Sequence, residues 1–172
     1  MNLYVVRHAI AARLEPASSE QDSQRPLTEK GRSRMRLISR GLRELEIQLD
    51  VILTSPYLRA TQTALILAKE FDLGKARVVS NPNLAPSGDP EQLVKSVHQD
   101  YGDIENLCFV GHEPSLSSLI SMLIVGDPTL SLALKKGGVC KLLVDNLLYG
   151  RCAALEWILS PAQLVKIAGR TT

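Results

Sequence analysis

The chain has 172 residues, 45% of them hydrophobic, which is the size of one ordinary domain with a continuous core. Its formal net charge is +2 and it contains no run of five or more Lys or Arg, so its composition does not indicate nucleic-acid binding. No apolar stretch approaches the roughly 18 residues that cross a bilayer, and no leader is visible. We therefore expect a single cytoplasmic domain over residues 1–172, without a membrane partner.

Segments of β character alternate along the chain with segments of helical period, which is typical of an α/β domain. We predict a three-layer sandwich with a mostly parallel central sheet of about six strands and helices on both faces. The predicted strands are 2–7, 50–54, 77–80, 107–111, 139–145 and 152–159.

The first long helix is predicted to follow residues 9–27, the longest stretch without hydrophobic period. That stretch continues directly from the first strand, so we expect a loop that covers the end of the sheet. Thr28 is the expected N-cap of the helix. Its predicted buried face consists of Met35, Ile38, Leu42 and Leu45.

Four later helices are predicted from a proline at or beside the first helical position. Two of them also have the spacing of a capping box, with a glutamine three residues after the cap. The helix after the second strand is expected to bury Ala60, Ala64, Leu67 and Phe71. The predicted openings are Ser55-Pro56, Asp89-Pro90-Glu91-Gln92, Glu113-Pro114 and Ser160-Pro161-Ala162-Gln163.

Two of the three histidines fall where predicted strands end. Arg7 and His8 follow the apolar run 3–6, and His112 follows the run 107–111. Ligands of α/β sheets bind in the crevice at the carboxyl ends of the strands, so these side chains are expected to meet there. Arg59, in the helix after the second strand, could reach back over the same edge. A guanidinium binds two phosphate oxygens at once, and this set of groups therefore indicates phosphate chemistry.

His8 is the candidate nucleophile of this site. A neutral imidazole can attack phosphorus and form a phosphohistidine that water then hydrolyses, and a backbone carbonyl could fix the required tautomer. His112 would supply a further donor if it is protonated. Adjacent residues on a regular strand face opposite ways, so Arg7 and His8 can share one site only if the backbone turns where the strand ends.

Other kinds of site lack their motifs. The turn after the first strand has no glycines of a dinucleotide fingerprint, and no phosphate-binding loop sequence occurs. His112-Glu113 is followed at position 116 by leucine, so a zinc motif would lack its second histidine. Cys108, Cys140 and Cys152 form no Cys-x-x-Cys pair and are expected to be inert core thiols. We therefore predict a mechanism without metal or other cofactor.

Four segments, in order and spacing, resemble the histidine phosphatase superfamily. Within it, the short length and the segments 84–89 and 157–161 most resemble the small bacterial protein-phosphohistidine phosphatases of the SixA type. The resemblance implies a phosphoglycerate mutase-like fold and a phosphohistidine intermediate on His8. It also implies a phosphate pocket of Arg7, Arg59 and His112. The four segments are Arg7-His8-Ala9, Arg25-Pro26-Leu27-Thr28-Glu29-Lys30-Gly31, Ser55-Pro56-x-x-Arg59-Ala60-x-x-Thr63-Ala64 and Val110-Gly111-His112-Glu113.

The chain departs from the family pattern at two places. Ala9 stands where the family usually has glycine, and residues 81–88 contain no carboxylate that could match the acidic proton donor of larger relatives. Asp89 is the nearest acid and is expected to be a helix cap. Glu113 is a weaker candidate for proton donor, and Arg25 for a rim contact with substrate phosphate.

Three functions remain open. The first is a phosphatase that removes phosphate from a phosphohistidine-bearing protein, such as a phosphotransfer domain of a bacterial signalling relay. The second is a small-molecule phosphatase or mutase, which predicts a carboxylate in the pocket. The third is a non-catalytic module that binds phosphorylated proteins, and such a module would not need a nucleophile at His8.

Overall fold

A computed structural model describes residues 1–13 and 19–169 of the chain. The six predicted strands and the five predicted helices occur in the predicted order, with one further short helix after the first strand. The strands are β1 (Asn2–Arg7), β2 (Val51–Thr54), β3 (Val78–Ser80), β4 (Asn106–Gly111), β5 (Val139–Val144) and β6 (Ala153–Leu159). The helices are α1 (Ser19–Ser23), α2 (Glu29–Glu44), α3 (Leu58–Glu70), α4 (Pro90–Tyr101), α5 (Ser115–Val125) and α6 (Pro161–Ala168).

The six strands form one sheet in the order β3-β2-β4-β1-β5-β6. β1 pairs in parallel with β4, from Asn2 opposite Asn106 to Arg7 opposite Gly111. β2 is parallel to both β3 and β4, whereas β5 runs antiparallel to β1 and β6. The predicted mostly parallel sheet is therefore confirmed, and β1, β2 and β4 end at the same edge.

Side chains that alternate along the strands enter two apolar cores, one on each face of the sheet. From β1, Leu3 and Val5 join the core that α4 and α5 cover, while Tyr4 and Val6 join the core beneath α2, α3 and α6. Strands buried on both faces are typical of parallel sheets between helical layers. The predicted three-layer sandwich is thus confirmed.

The N-cap predicted for the first long helix is confirmed, because the Thr28 hydroxyl accepts a hydrogen bond from the Gly31 amide. Burial of Leu45 was predicted wrongly. The helix ends at Glu44, and Leu45 is 39% exposed where the chain turns at Glu46, which has a positive φ of 56°. The apolar period continues by one residue past the end of the helix.

The predicted start of α3 at Ser55-Pro56 is wrong. Ser55 still belongs to the sheet edge, since its amide donates to Val110 O at 2.9 Å. The helix begins at Leu58 after an extended Tyr57. Pairing with β4 therefore keeps Ser55 out of the helical conformation, and its hydroxyl is available for the site described below.

The predicted starts of α4 and α6 are confirmed, whereas α5 begins at Ser115, one residue later than predicted, with Pro114 as its N-cap. The Asp89 carboxylate accepts from the backbone amides of Glu91 and Gln92, and Ser160 forms both halves of a capping box with Gln163. Phe71 follows the last residue of α3 and is only partly buried.

The stretch 9–27 has more structure than predicted, because it contains α1 and a bridge between Ala11 and Leu27. Its residues 14–18 lie outside the described part of the chain. Cys108 and Cys140 are buried in strands, whereas Cys152 precedes β6 and is half-buried, so it is not the core thiol that was predicted. Within residues 1–13 and 19–169, no helix is long and apolar enough to span a membrane.

Candidate active site

The chain leaves the sheet directly after Arg7, as the site requires. Arg7 is bonded through its backbone to the segment before β5, and the His8 amide donates to Gly111 O of β4 at 3.0 Å. The next amide, of Ala9, donates to the Thr63 hydroxyl on α3 at 3.1 Å. The end of β1 is thus fixed between β4 and α3, and the predicted turn is confirmed.

One tautomer of His8 is set by its backbone neighbour. Nδ1 lies 2.7 Å from Ala9 O, and because a carbonyl oxygen only accepts, Nδ1 carries the hydrogen. His8 is 6% exposed, and burial lowers its pKa to about 4 although the bond to Ala9 acts in the opposite direction. At neutral pH, His8 is therefore uncharged, with a lone pair on Nε2.

His112 lies against His8, with their ring centroids 5.0 Å apart. Its Nε2 is 2.8 Å from the Ser55 hydroxyl oxygen, which accepts from the Tyr57 amide. When the Ser55 O–H donates to Nε2, the single hydrogen of the neutral His112 ring lies on Nδ1. Burial, followed by the effect of the neighbouring His8 and Arg59, lowers the pKa of His112 to about 3. His112 is therefore neutral at pH 7, and it is not the protonated donor that the sequence suggested. A neutral imidazole still has one N–H to donate.

The other ring nitrogen of His112 lacks a partner. Nδ1 is buried and makes no hydrogen bond to the described residues. Buried polar atoms are nearly always hydrogen-bonded in native proteins, so an unpaired one at a strand-end crevice is a feature of a ligand site.

Arg59 is the second residue of α3, and its side chain is 7% exposed. Its Nη1 donates to Asp22 O at 2.6 Å and its Nη2 to Asp22 Oδ2 at 3.0 Å. The guanidinium also lies 4.9 Å from the centroid of the Tyr57 ring. These contacts from α1 and the start of α3 fix a buried cation beside the two histidines.

The side chain of Arg7 is held by the segment before β5, since its Nη1 donates to Leu134 O at 2.9 Å. Its Nε is buried without a partner in the described ranges, and so is Oε1 of Glu113. Both residues line one small cavity of about 200 Å³, together with the segment 132–135. Glu113 therefore shares a cavity with Arg7.

Arg25 is joined to Arg59 by a residue that the sequence did not single out. Asp22 accepts from Arg25 Nη1 at 2.7 Å through Oδ1, while its Oδ2 accepts from Arg59. Arg25 Nε donates to Ala12 O at 2.8 Å. Burial acts to raise the pKa of Asp22, but the hydrogen bonds from both guanidinium groups outweigh it and lower that pKa. The only signal in the sequence was the Asp22-x-x-Arg25 spacing.

Lys136 is a second residue that the sequence analysis missed. Its exposed side chain belongs to a segment tied to Arg7, because the Gly137 amide donates to Arg7 O at 3.0 Å. Burial, followed by the charges of Arg7 and Arg25, lowers the pKa of Lys136. Cationic side chains thus surround the mouth of the site.

Two uncharged imidazoles and two guanidinium groups meet where β1, β2 and β4 end. These groups suit a tetrahedral oxyanion such as a phosphoryl group. The fold and the site together define an α/β protein with histidine and arginine side chains grouped at the ends of its parallel strands.

Comparison with known proteins leads to the same class. The family model described as histidine phosphatase superfamily, branch 1, matches residues 3–106, a range that contains Arg7, His8, Arg25 and Arg59 and stops before His112. The chain belongs to this superfamily, as its motifs predicted.

Individual relatives give closer likenesses. An uncharacterized protein of Picosynechococcus is 38% identical over 140 residues, which is 81% of this chain and 82% of that protein. The phosphohistidine phosphatase SixA of Escherichia coli K12 is 32% identical over 129 residues, or 74% and 76% of the two chains. A structure of the protein histidine phosphatase SixA complexed with tungstate has a TM-score of 0.80 at 26% identity, and the match covers 95% of this chain and 99% of that one.

Proposed function

We propose that this protein is a phosphatase that hydrolyses phosphohistidine on a phosphotransfer protein, through a covalent phosphohistidine on His8. The tautomer of His8 carries this proposal. Its Nδ1 is held by Ala9 O, and burial lowers the pKa of the ring to about 4. Nε2 is therefore an unprotonated nucleophile at neutral pH, beside two fixed guanidinium groups.

In the first step, the His8 Nε2 lone pair forms a bond to phosphorus, and the bond from phosphorus to the substrate imidazole nitrogen breaks. The electron pair of that bond leaves with the substrate imidazole, which takes up a proton. In the second step, a water oxygen forms a bond to the phosphorus on His8, and the phosphorus–Nε2 bond breaks with its electron pair returning to Nε2. The proton lost by the water passes to the group that protonated the leaving imidazole, and inorganic phosphate is released. Arg7, Arg59 and the N–H of His112 neutralise the phosphoryl oxygens in both steps.

Glu113 is the proposed proton donor. Its Oε1 is buried, makes no hydrogen bond within the described ranges and lines the cavity beside Arg7. Asp89 is committed elsewhere, because its carboxylate caps α4. A phosphoimidazole is an activated leaving group compared with an alkoxide, so this substrate needs less help from a general acid.

The charge around the site supports a protein substrate. Arg13 and Lys136 are exposed, and Arg25 lies near them at the rim. Such a rim attracts an acidic protein surface around the phosphorylated histidine. The SixA relative of E. coli is itself named a phosphohistidine phosphatase.

We further propose that the protein acts in the cytoplasm, on a phosphotransfer protein of a bacterial signalling relay.

One observation favours the second candidate, a small-molecule phosphatase or mutase. That function predicts a carboxylate in the pocket, and Glu113 lies beside Arg7. Residues 81–88 of this chain nevertheless contain no acid, whereas larger relatives carry an acidic proton donor in an insert at this place.

Turnover of three substrates separates the candidates: a phosphohistidine-bearing phosphotransfer protein, a phosphoserine peptide and a sugar phosphate. We expect kcat/KM for the first to exceed the other two by at least about a hundredfold, because only its leaving group needs little protonation. Faster hydrolysis of the sugar phosphate would establish the second candidate. Binding of the phosphoprotein without any turnover would establish the non-catalytic module.

A further inference from the structure

Asp22 makes an unusual pair of contacts for a residue of a five-residue helix. One carboxylate oxygen accepts from Arg25 Nη1 at 2.7 Å and the other accepts from Arg59 Nη2 at 3.0 Å. The backbone carbonyl of Asp22 adds a third bond, from Arg59 Nη1 at 2.6 Å. A single residue therefore holds two guanidinium groups in place.

We propose that Asp22 is a positioning residue, which fixes Arg59 and Arg25 in the geometry that receives a phosphoryl group. The inference rests on the proposed function, since it requires a phosphate at this site.

Burial explains why Arg59 needs such a partner. Its side chain is 7% exposed, and a buried cation is unfavourable unless it is paired and hydrogen-bonded. Arg25 and Arg59 also carry like charges, and both face the same carboxylate. Without Asp22, repulsion would separate the two guanidinium groups, and Arg59 would lose its fixed orientation.

The contacts with Asp22 leave room for a ligand. A guanidinium carries five N–H donors, and Asp22 takes two of those of Arg59, one on each terminal nitrogen. The three others can meet phosphoryl oxygens while Asp22 stays in place. The carboxylate thus orients Arg59 without competing for the ligand, and substrate does not have to displace it.

Asp22→Ala and Asp22→Asn test this role, with tungstate as a phosphate-shaped probe and the phosphohistidine protein as substrate. We expect Asp22→Ala to weaken tungstate binding and to lower kcat/KM by about tenfold or more, since loss of orientation at a phosphate-binding group is costly. Asp22→Asn keeps one acceptor oxygen, so its tungstate affinity and kcat/KM should fall less than those of Asp22→Ala. If Asp22→Ala does not fold, the tungstate affinity and kcat/KM of Asp22→Asn test the positioning role, and values equal to wild type would overturn it.

Asp50→Ala is the matched control. Its carboxylate also accepts two hydrogen bonds, from the backbone amide and side chain of Asn106 at the opposite edge of the sheet. A merely structural role for Asp22 would lower the melting temperature in both variants and leave tungstate affinity unchanged in both. We expect the change in affinity in the Asp22 variant alone.

A double-mutant cycle tests the bridge to Arg25. If Arg25 acts through Asp22, Arg25→Ala should lower kcat/KM little further in a chain that already carries Asp22→Ala. If the free-energy losses of the two single variants add in the double variant, Arg25 does not act through Asp22. Equal or tighter tungstate binding in both Asp22 variants would overturn the positioning role while leaving the proposed function intact. A wild-type protein that neither binds tungstate nor turns over phosphohistidine would overturn both.

Discussion

His8 and His112 form a pair of buried imidazoles that share one environment, with their ring centroids 5.0 Å apart. Burial is the largest cause of the lowered pKa of each, about 4 for His8 and about 3 for His112. The arginine charges beside them act in the same direction. Both rings therefore stay neutral while the guanidinium groups hold the positive charge, which keeps a nucleophile available next to an anion site.

This pair should make folding stability depend on pH. In the unfolded chain a histidine binds its proton near pH 6.5, but in the folded protein His8 does so only near pH 4. Between these values the unfolded state binds more protons, so the free energy of unfolding should fall as pH falls from 6.5 to 4. Urea denaturation at pH 7 and pH 5 measures this, and His8→Asn should show the smaller decrease. An equal decrease in both proteins would contradict the lowered pKa of His8.

The sequence identifies the residues that end strands, but not those whose place depends on a loop. His8, Arg7 and His112 were found because apolar runs lead into them, and the sheet brings those ends together. Asp22 reaches Arg59 across 37 positions of the chain, and no local pattern encodes that contact. Lys136 likewise depends on how the segment before β5 bonds to Arg7.

α2 supports the site through its first turn, which lies against the segment that follows His8. The Thr28 amide donates to Ile10 O at 2.9 Å, and a Cβ built on Gly31 would lie 2.1 Å from the same oxygen. Further along α2, a Cβ on Gly41 would lie 2.1 Å from Leu164 O of α6. Glycine permits two close backbone approaches, one beside the site and one away from it.

Gly31→Ala and Gly41→Ala form a matched pair. Each methyl group would collide with a backbone carbonyl, so each should lower the free energy of unfolding by about 1–3 kcal/mol, although alanine favours the helix. Only Gly31→Ala moves the chain near His8, so only this variant should also lose turnover, by about tenfold. Denaturation and kinetics on both variants measure this. Equal turnover in the two would show that the first turn of α2 does not support the site.

Prediction of elements failed where tertiary pairing outweighed local signals. Ser55-Pro56 is a good helix opening by composition, yet Ser55 bonds to Val110 of β4 and turns its hydroxyl to His112. The competing ladder hydrogen bond could not be read from the sequence. Caps without such competition, at Thr28 and Ser160, were predicted correctly.

The molecule as a whole carries a formal charge of only +2, yet cations are concentrated at the site. Arg7, Arg25, Arg13 and Arg59 all act on Lys136. A local field of this kind speeds the approach of an acidic partner more than the net charge would. The proposed single domain is consistent with this layout, because strands from both ends of the chain join one sheet around the site.

Salt should therefore slow the reaction with a protein substrate. We expect kcat/KM for the phosphohistidine protein to fall severalfold between low and high ionic strength, because salt screens exposed charges. Lys136→Glu should lower kcat/KM at low salt by up to about tenfold and weaken its dependence on salt. Lys69→Glu, in the last turn of α3, is the control. If kcat/KM of Lys136→Glu depends on salt as in wild type, Lys136 does not contribute to the association with the protein substrate.

Trapping the covalent intermediate tests the central claim most directly. The protein would be mixed with a phosphotransfer protein carrying labelled phosphohistidine, quenched in base and mapped by mass spectrometry. We predict that the label appears on His8 within one turnover and is absent in His8→Asn, which should remain folded. Turnover without label on His8, or label on His112 instead, would contradict the account.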